Sequence, residues 1–137
     1  MGRHSNANLL IHVVWSTERR RPLLPPSGDA TLATMFAEAA RRVRCQLIIC
    51  GIAVDHTHVL VRLQPTTRLA ELVQRMKGAV AHDVNVDRGE RSIVWQQGYW
   101  AESIGPADVG PLASYFMRQR ERHDNSHPAE AWQFGQP

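Results

Sequence analysis

The sequence predicts an α+β fold, a ferredoxin-like or RRM-like βαββαβ antiparallel sheet with one helix added at its C-terminal end. Three observations lead to this prediction. Four segments are predicted to be strands, and the first and third of them show the two-residue alternation of strands. Two segments between them repeat apolar residues at helical spacing, in the order that the split βαβ arrangement requires. A third helical segment follows the last strand, so it must be an addition to that unit.

The first half of the chain supplies three strands and one helix. Residues 8–16 alternate with mostly apolar side chains on both faces, which is typical of a central strand. Residues 17–28 are charged and then proline-rich, which predicts a loop. Residues 46–54 form the second predicted strand, and residues 56–63 form the third after a tight connection at Asp55. The intervening helix is predicted by apolar residues at helical spacing, namely Leu32, Met35, Phe36, Ala39, Ala40 and Val43.

The second half supplies a helix, a strand and the added helix. Thr67 follows a proline and is a suitable N-cap for the second helix. Residues 93–104 contain the fourth predicted strand, which is expected to bend at Gly98. Asp108 can cap the last helix, which is expected to extend to about His123. The apolar stripe of the second helix, which is predicted to end near Val86, comprises Leu69, Leu72, Val73, Met76 and Val80.

Length and composition indicate one globular domain. The 137 residues are 43% hydrophobic and 21% charged, which is ordinary for a chain with a buried core. We expect a single domain over 1–137, with a core of about 8–123 and a tail over 124–137. No apolar run approaches a membrane span, and the amino terminus lacks the apolar core of a signal peptide, so we expect a cytoplasmic protein without a membrane partner.

The two cysteines are expected to be unpaired core residues. Cys45 and Cys50 lie five residues apart in one predicted strand. An odd separation places side chains on opposite faces of a strand, which excludes both a disulfide and a shared metal site.

Arginine dominates the cationic residues, because only Lys77 among the sixteen basic residues is lysine. Arginine makes bidentate contacts with phosphate and stacks on bases, so this composition suits a nucleic-acid partner. A GC-rich genome, whose codons favour arginine, explains the bias equally well. The arginines form clusters rather than an even scatter, at Arg19-Arg20-Arg21, Arg41-Arg42-Arg44 and Arg118-Arg120-Arg122.

His56 and His58 are candidate metal ligands at the start of the third predicted strand. Residues two apart project from the same face of a strand, so the strand holds two imidazoles side by side. This is how a protein presents two nitrogen ligands to a divalent metal. The alternative is a half-exposed strand on which the two histidines have no metal to bind.

Tyr115 and Gln119 are candidate partners of the histidines on the added helix. They lie four residues apart and therefore share one face of that helix. A tyrosine phenol near a metal that polarises a phosphate can attack phosphorus and form a covalent ester. The Gln119 carbonyl can complete a ligand shell begun by two histidines. The alternative is a solvated polar helix face.

Five motifs in order resemble the single-tyrosine HUH transposases, which move small insertion sequences as single-stranded DNA, and their REP-associated relatives. His56-Thr57-His58 resembles the histidine–hydrophobic–histidine motif, with Thr57 where a bulky apolar residue is usual. Tyr115-Phe116-Met117-Arg118-Gln119 resembles the tyrosine helix. The other three similar segments are His12-Val13-Val14-Trp15-Ser16-Thr17, Leu72-Val73-Gln74-Arg75-Met76-Lys77-Gly78 and Trp95-Gln96-Gln97-Gly98-Tyr99-Trp100. The Thr57 side chain should point to the opposite face of the sheet, away from the metal.

The resemblance implies an activity and its residues. His56, His58 and Gln119 would bind Mg²⁺ or Mn²⁺, and Tyr115 would attack the scissile phosphate of single-stranded DNA. The products would be a 5′-phosphotyrosine and a free 3′-OH, which can be rejoined without ATP. The implied partners are DNA hairpins (imperfect palindromes) at element ends and a second copy of the chain, in a homodimer whose subunits share their active sites. Candidate phosphate contacts are Arg19, Arg20, Arg21, Lys77, Arg118 and Arg122.

Two other functions are compatible with parts of the pattern. A domesticated or inactive relative would keep the fold and bind DNA or RNA hairpins without cutting them, but it would not need His56, His58, Tyr115 and Gln119 together. A metal-dependent hydrolase would use water as its nucleophile and would need a general base. Asp55 is the one carboxylate beside the histidines in sequence, which makes the hydrolase the least favoured function.

Overall fold

The predicted order of strands and helices is confirmed. The computed structural model describes residues 7–24, 29–81, 85, 89 and 92–118. Short 3₁₀ turns at Glu18–Arg20 and Pro106–Asp108 join its larger elements. These elements are β1 (Leu9–Ser16), α1 (Asp29–Arg42), β2 (Gln46–Ile52), β3 (His56–Leu63), α2 (Leu69–Ala79), β4 (Trp100–Ile104) and α3 (Val109–Met117).

The four strands form one antiparallel sheet in the order β2-β3-β1-β4. β1 is central, as its two apolar faces predict, and it pairs with β3 on one side and β4 on the other. Its register with β3 sets Ser16 opposite His56 and Val14 opposite His58. The two histidines therefore begin an interior strand of the sheet, with β1 on one side and β2 on the other.

The sheet separates two apolar clusters. On one face, α1 and α2 bury their apolar stripes together with Val13, Trp15 and Val59. The helix residues of that cluster are Leu32, Phe36, Ala39, Ala40, Leu72, Val73 and Met76. On the other face, a smaller cluster of Leu10, Leu60 and Phe116 holds α3. The added helix therefore lies on the face that α1 and α2 leave uncovered.

The prediction for the cysteines is partly wrong. Neither cysteine forms a disulfide, as expected. However, Cys45 precedes β2, and a register shift between Leu47 and Ile49 inserts an extra residue into that strand. The shift changes the alternation, so Cys45 and Cys50 pack against the same apolar cluster rather than on opposite faces.

Asp108 is the N-cap residue of α3, as predicted, but makes no side-chain cap hydrogen bond, and the predicted N-cap of α2 is wrong by one residue. The N-cap of α2 is Arg68, and the Thr67 hydroxyl instead donates to the Val43 carbonyl at 2.9 Å. The Asp108 carboxylate accepts a hydrogen bond from the Gly105 amide and makes no cap bond to α3. The last helix ends at Met117, with Arg118 as its C-cap, and so is shorter than the predicted extent to about His123. Val86, His123 and the tail 124–137 lie outside the described residues. None of the helices in the described part of the chain has both the length and the apolar composition needed to cross a bilayer.

Candidate active site

His56 and His58 lie side by side on one face of β3, as the strand pattern predicts. Both side chains are fully buried. Their Nε2 atoms are 3.2 Å apart, and the two rings meet nearly edge to face. Two imidazole nitrogens therefore converge on one point at the end of the strand.

Asp55 orients His56 from the outer side. Its Oδ1 lies 2.8 Å from His56 Nδ1, and its Oδ2 accepts a bond from Arg20 Nε at 3.2 Å. Burial alone would raise the pKa of Asp55, but the hydrogen bond from His56 and the Arg20 guanidinium bring that pKa below its ordinary value. An ionised carboxylate only accepts hydrogen bonds, so His56 donates from Nδ1 and its Nε2 lone pair faces His58. With both oxygens engaged, Asp55 is poorly placed to act as the general base of a hydrolase.

His12 is the outer partner of His58, and the sequence pattern did not predict this role. Its Nε2 lies 2.9 Å from His58 Nδ1, and the two rings stack at 5.1 Å. Burial lowers the pKa of His12 to about 4, so its imidazole is neutral near pH 7. The available signal was its position on a central strand, on the face opposite to the helix-packing residues Val13 and Trp15.

Thr57, between the histidines, points to the opposite face of the sheet, as expected. It is 1% exposed, and its register partners Trp15 and Ile52 belong to the cluster under α1 and α2. Its hydroxyl donates to the Gly51 carbonyl at 3.3 Å, which satisfies a buried polar group. Threonine at this position therefore leaves the convergence of His56 and His58 unaffected.

α3 brings Tyr115 to the histidines within the same chain. The Tyr115 ring is half-buried and meets the His58 ring edge to face, with 5.4 Å between centroids. The next residue, Phe116, is buried against Leu10 and Leu60. Burial of one such aromatic ring contributes about 1.5–3 kcal/mol, so Phe116 is the main apolar anchor of this short helix.

Gly51 lets α3 approach the sheet closely. A Cβ atom at this position would lie 2.6 Å from the Phe116 carbonyl oxygen and 2.8 Å from its Cα. Real Cβ atoms essentially never make such contacts, so a larger residue would push α3 away from β2. The absence of a side chain at Gly51 thus sets the distance between Tyr115 and the histidine pair.

The paired nitrogens fit a divalent metal ion. Neighbouring ligands of an octahedral ion with bonds of about 2.1 Å lie about 3.0 Å apart, close to the observed separation. Within the described ranges, no group of three or more histidine, cysteine or acidic side chains could hold a metal ion. A further protein ligand must therefore be of another residue type or come from elsewhere. Gln119, the predicted third ligand, lies outside the described residues.

The predicted phosphate contacts have different surroundings. Arg19, Arg21 and Arg118 are exposed. The guanidinium of Arg20 is paired with Asp55. Lys77 is half-buried, which lowers its pKa, and its ammonium donates to the carbonyls of residues 96 and 98 at 2.9 and 2.8 Å. Arg122 lies outside the described residues.

Comparisons with known proteins agree with this fold. The sequence profile of the family described as "Transposase IS200 like" matches residues 5–119. A candidate transposase from Deinococcus radiodurans has a similar structure, with a TM-score of 0.67 and 20% identity over 88% of this chain and 97% of that one. A REP-associated tyrosine transposase bound to a REP hairpin gives a TM-score of 0.65 and 16% identity, over 90% of this chain and 74% of that one. None of the curated proteins matches. The extent of the profile match shows that this chain belongs to the IS200-like transposase family.

Proposed function

We propose that this transposase cleaves and rejoins single-stranded DNA by the single-tyrosine HUH mechanism. The observation that carries the proposal is the Tyr115 ring against the His58 ring, beside two converging imidazole nitrogens. A binding module needs neither a phenol at that place nor a pair of buried, oriented histidines. Their combination supports a metal-assisted nucleophilic reaction at phosphorus.

The proposed cofactor is Mg²⁺ or Mn²⁺, held by Nε2 of His56 and of His58 and by the side-chain carbonyl of Gln119. When bound, the ion supplies a positive charge that polarises the scissile phosphate. Asp55 fixes the His56 ring so that Nδ1 carries the proton and Nε2 carries the lone pair. The pair is rigid because both rings are buried in an interior strand.

Tyr115 is the proposed nucleophile. Its Oη forms a bond to phosphorus while the bond from phosphorus to the 3′ oxygen breaks. The phenolic proton is released, the 3′ oxygen leaves as a hydroxyl, and the 5′ end stays on the protein as a phosphotyrosine. A 3′-OH attacks this ester in the reverse sense, so rejoining conserves the phosphodiester bond and needs no ATP.

The proposed DNA partner is an imperfect hairpin at an element end. The hairpin bound to the REP-associated tyrosine transposase supports this partner, since that protein has a similar fold. Exposed Arg19, Arg21 and Arg118 are available for phosphate contacts. A phosphate contact by Arg20 or Lys77 would compete with the intramolecular bonds that these side chains already make.

The expected homodimer stays a prediction, and the described contacts support a Tyr115 that serves the histidines of its own chain. The resemblance implies that the tyrosine helix of one subunit serves the histidines of the other. Here Tyr115 and His58 of the same chain are in contact, and Phe116 anchors α3 on its own sheet. Dimerisation would therefore not be needed to bring these two side chains together.

The test is formation of a denaturant-resistant adduct between the protein and hairpin-bearing single-stranded DNA in the presence of Mg²⁺. We expect an adduct whose mass equals the protein plus the 5′-phosphorylated fragment, and we expect EDTA to prevent it. Hairpin binding without any adduct, at all Mg²⁺ and Mn²⁺ concentrations tested, would instead support the inactive binding module.

A further inference from the structure

His12 occupies the same place relative to His58 that Asp55 occupies relative to His56. Asp55 Oδ1 meets Nδ1 of His56 at 2.8 Å, and His12 Nε2 meets Nδ1 of His58 at 2.9 Å. The two Nε2 atoms between them face each other at 3.2 Å. Asp55, His56, His58 and His12 therefore form a row of side chains. In this row, each of the two imidazoles that are proposed to bind metal has a polar partner on its outer side.

The proton positions in this row decide whether a metal can bind. A neutral imidazole has one N–H donor and one lone pair. If His12 donates from Nε2 to His58 Nδ1, the His58 proton must be on Nε2, where it points at His56 and excludes a cation. If His12 accepts at Nε2, His58 donates from Nδ1 and its Nε2 lone pair joins that of His56.

We infer that His12 is a positioning residue, whose Nε2 accepts the Nδ1 proton of His58 and holds that imidazole in the metal-binding tautomer. The inference rests on the metal site of the proposed function. It goes further because it assigns a role to a residue that makes no contact with the metal or the DNA. The His12 imidazole is a neutral acceptor, so it adds no negative charge behind His58, whereas the Asp55 carboxylate adds one behind His56.

The surroundings of His12 keep its ring in place. It is 5% exposed and lies in the central strand, opposite Leu60 of β3 and Glu102 of β4. Trp100 meets its ring edge to face at 5.3 Å, and Phe116 lies at 5.2 Å. Packing on both sides limits rotation of the imidazole, so its Nε2 stays directed at His58.

The first test measures Mn²⁺ affinity of the full-length chain without DNA, by titration calorimetry or by electron paramagnetic resonance of free Mn²⁺. His12→Phe keeps an aromatic ring for stacking and removes the acceptor. We expect its affinity to fall about 10–100-fold, the usual effect of removing an outer partner of a metal-bound histidine. His12→Gln, whose carbonyl can accept a hydrogen bond, should retain more affinity than His12→Phe. Glu102→Gln, an exposed neighbour in β4, is the matched control and should bind like the wild type.

The second test reads the tautomer directly in the wild type and does not depend on whether a variant folds. Nitrogen-15 spectra of the Mg²⁺-loaded protein should show the His58 proton on Nδ1 and the His12 proton also on Nδ1. A His58 proton on Nε2 in the loaded protein would overturn the inference, and so would wild-type Mn²⁺ affinity in a folded His12→Phe chain.

His58→Ala separates this inference from the proposed function. If His58→Ala abolishes Mn²⁺ binding while His12→Phe leaves it unchanged, the metal site stands and the role of His12 is wrong. If the wild type and His58→Ala bind Mn²⁺ equally, the proposed metal site is wrong, and the inference falls with it.

Discussion

At the scale of single residues, the two tyrosines of the chain make a sharp comparison for the nucleophile. Tyr115 is in contact with His58, whereas Tyr99 lies just before β4 and is 37% exposed. Tyr115→Phe keeps the aromatic ring that α3 presents to His58 and removes only the attacking oxygen. We expect it to lower adduct formation at least about a thousandfold, with hairpin binding unchanged. Tyr99→Phe is the matched control and should form the adduct like the wild type, so a persistent adduct in Tyr115→Phe would refute the assignment.

Asp55 gives a second prediction at this scale, because it acts on the site through His56. In Asp55→Asn the side chain still reaches His56 Nδ1, but it loses the negative charge and the ion pair with Arg20. We expect Mn²⁺ affinity to fall about 10–100-fold while the fold is retained. Glu38→Gln removes an exposed carboxylate that pairs with arginine on α1, and it should leave the affinity unchanged. Equal affinities in the two variants would show that Asp55 does not support His56.

At the scale of elements, the approach of α3 to β2 is controlled by Gly51. Gly51→Ala places a methyl group against the Phe116 backbone, so α3 must move away and carry Tyr115 with it. We expect adduct formation to fall at least about tenfold, since misplacement by about 1 Å can cost a hundredfold. Mn²⁺ affinity should fall less than in His58→Ala, because His56 and His58 on β3 stay in place while Gln119, the third proposed ligand, follows α3 in the chain.

Gly78→Ala is the matched control for Gly51→Ala. Gly78 is an exposed position of α2, and a methyl group added there would have nothing within 4 Å of it. Alanine there should raise the free energy of unfolding by about 0.5–1 kcal/mol, because glycine disfavours the helix interior. Adduct formation should be unchanged. Chemical denaturation and the adduct assay on both variants give the comparison, and equal loss of adduct in both would contradict the role of Gly51.

The elements also explain what sequence could and could not predict. The alternation of β1 predicted its central position, and the pattern of β3 predicted a shared face for His56 and His58, because strand geometry follows from a two-residue period. The same reasoning failed at Cys45 and Cys50, since an inserted residue breaks the period. His12 was missed because its partner lies 46 residues away, and alternation does not say which residues meet across a sheet.

At the scale of the whole molecule, the two faces of the sheet have different roles: one carries the larger apolar core, and the other carries the candidate active site. α1 and α2 bury the larger cluster on one face, while the histidines and α3 occupy the other. The sequence predicted α3 as a helix added to the sheet, but it could not say which surface that helix covers. The structure shows that α3 covers the sheet of its own chain near His58, with a small apolar contact around Phe116. This small contact makes exchange of α3 between two chains a real alternative to the arrangement within one chain.

A mixing experiment distinguishes these two arrangements. His58→Ala and Tyr115→Phe chains are each expected to be inactive, and they are combined under conditions that allow subunits to exchange. If each site is built within one chain, every site in the mixture lacks one residue, so no adduct should form. If α3 serves the partner's histidines, random pairing makes half of the dimers mixed, and each mixed dimer has one intact site, which gives about a quarter of the wild-type yield. We expect no adduct, because Tyr115 and His58 of the same chain are already in contact. Light scattering on the same samples reports whether the homodimer forms, so that an inactive mixture of monomers is not mistaken for an inactive mixture of dimers.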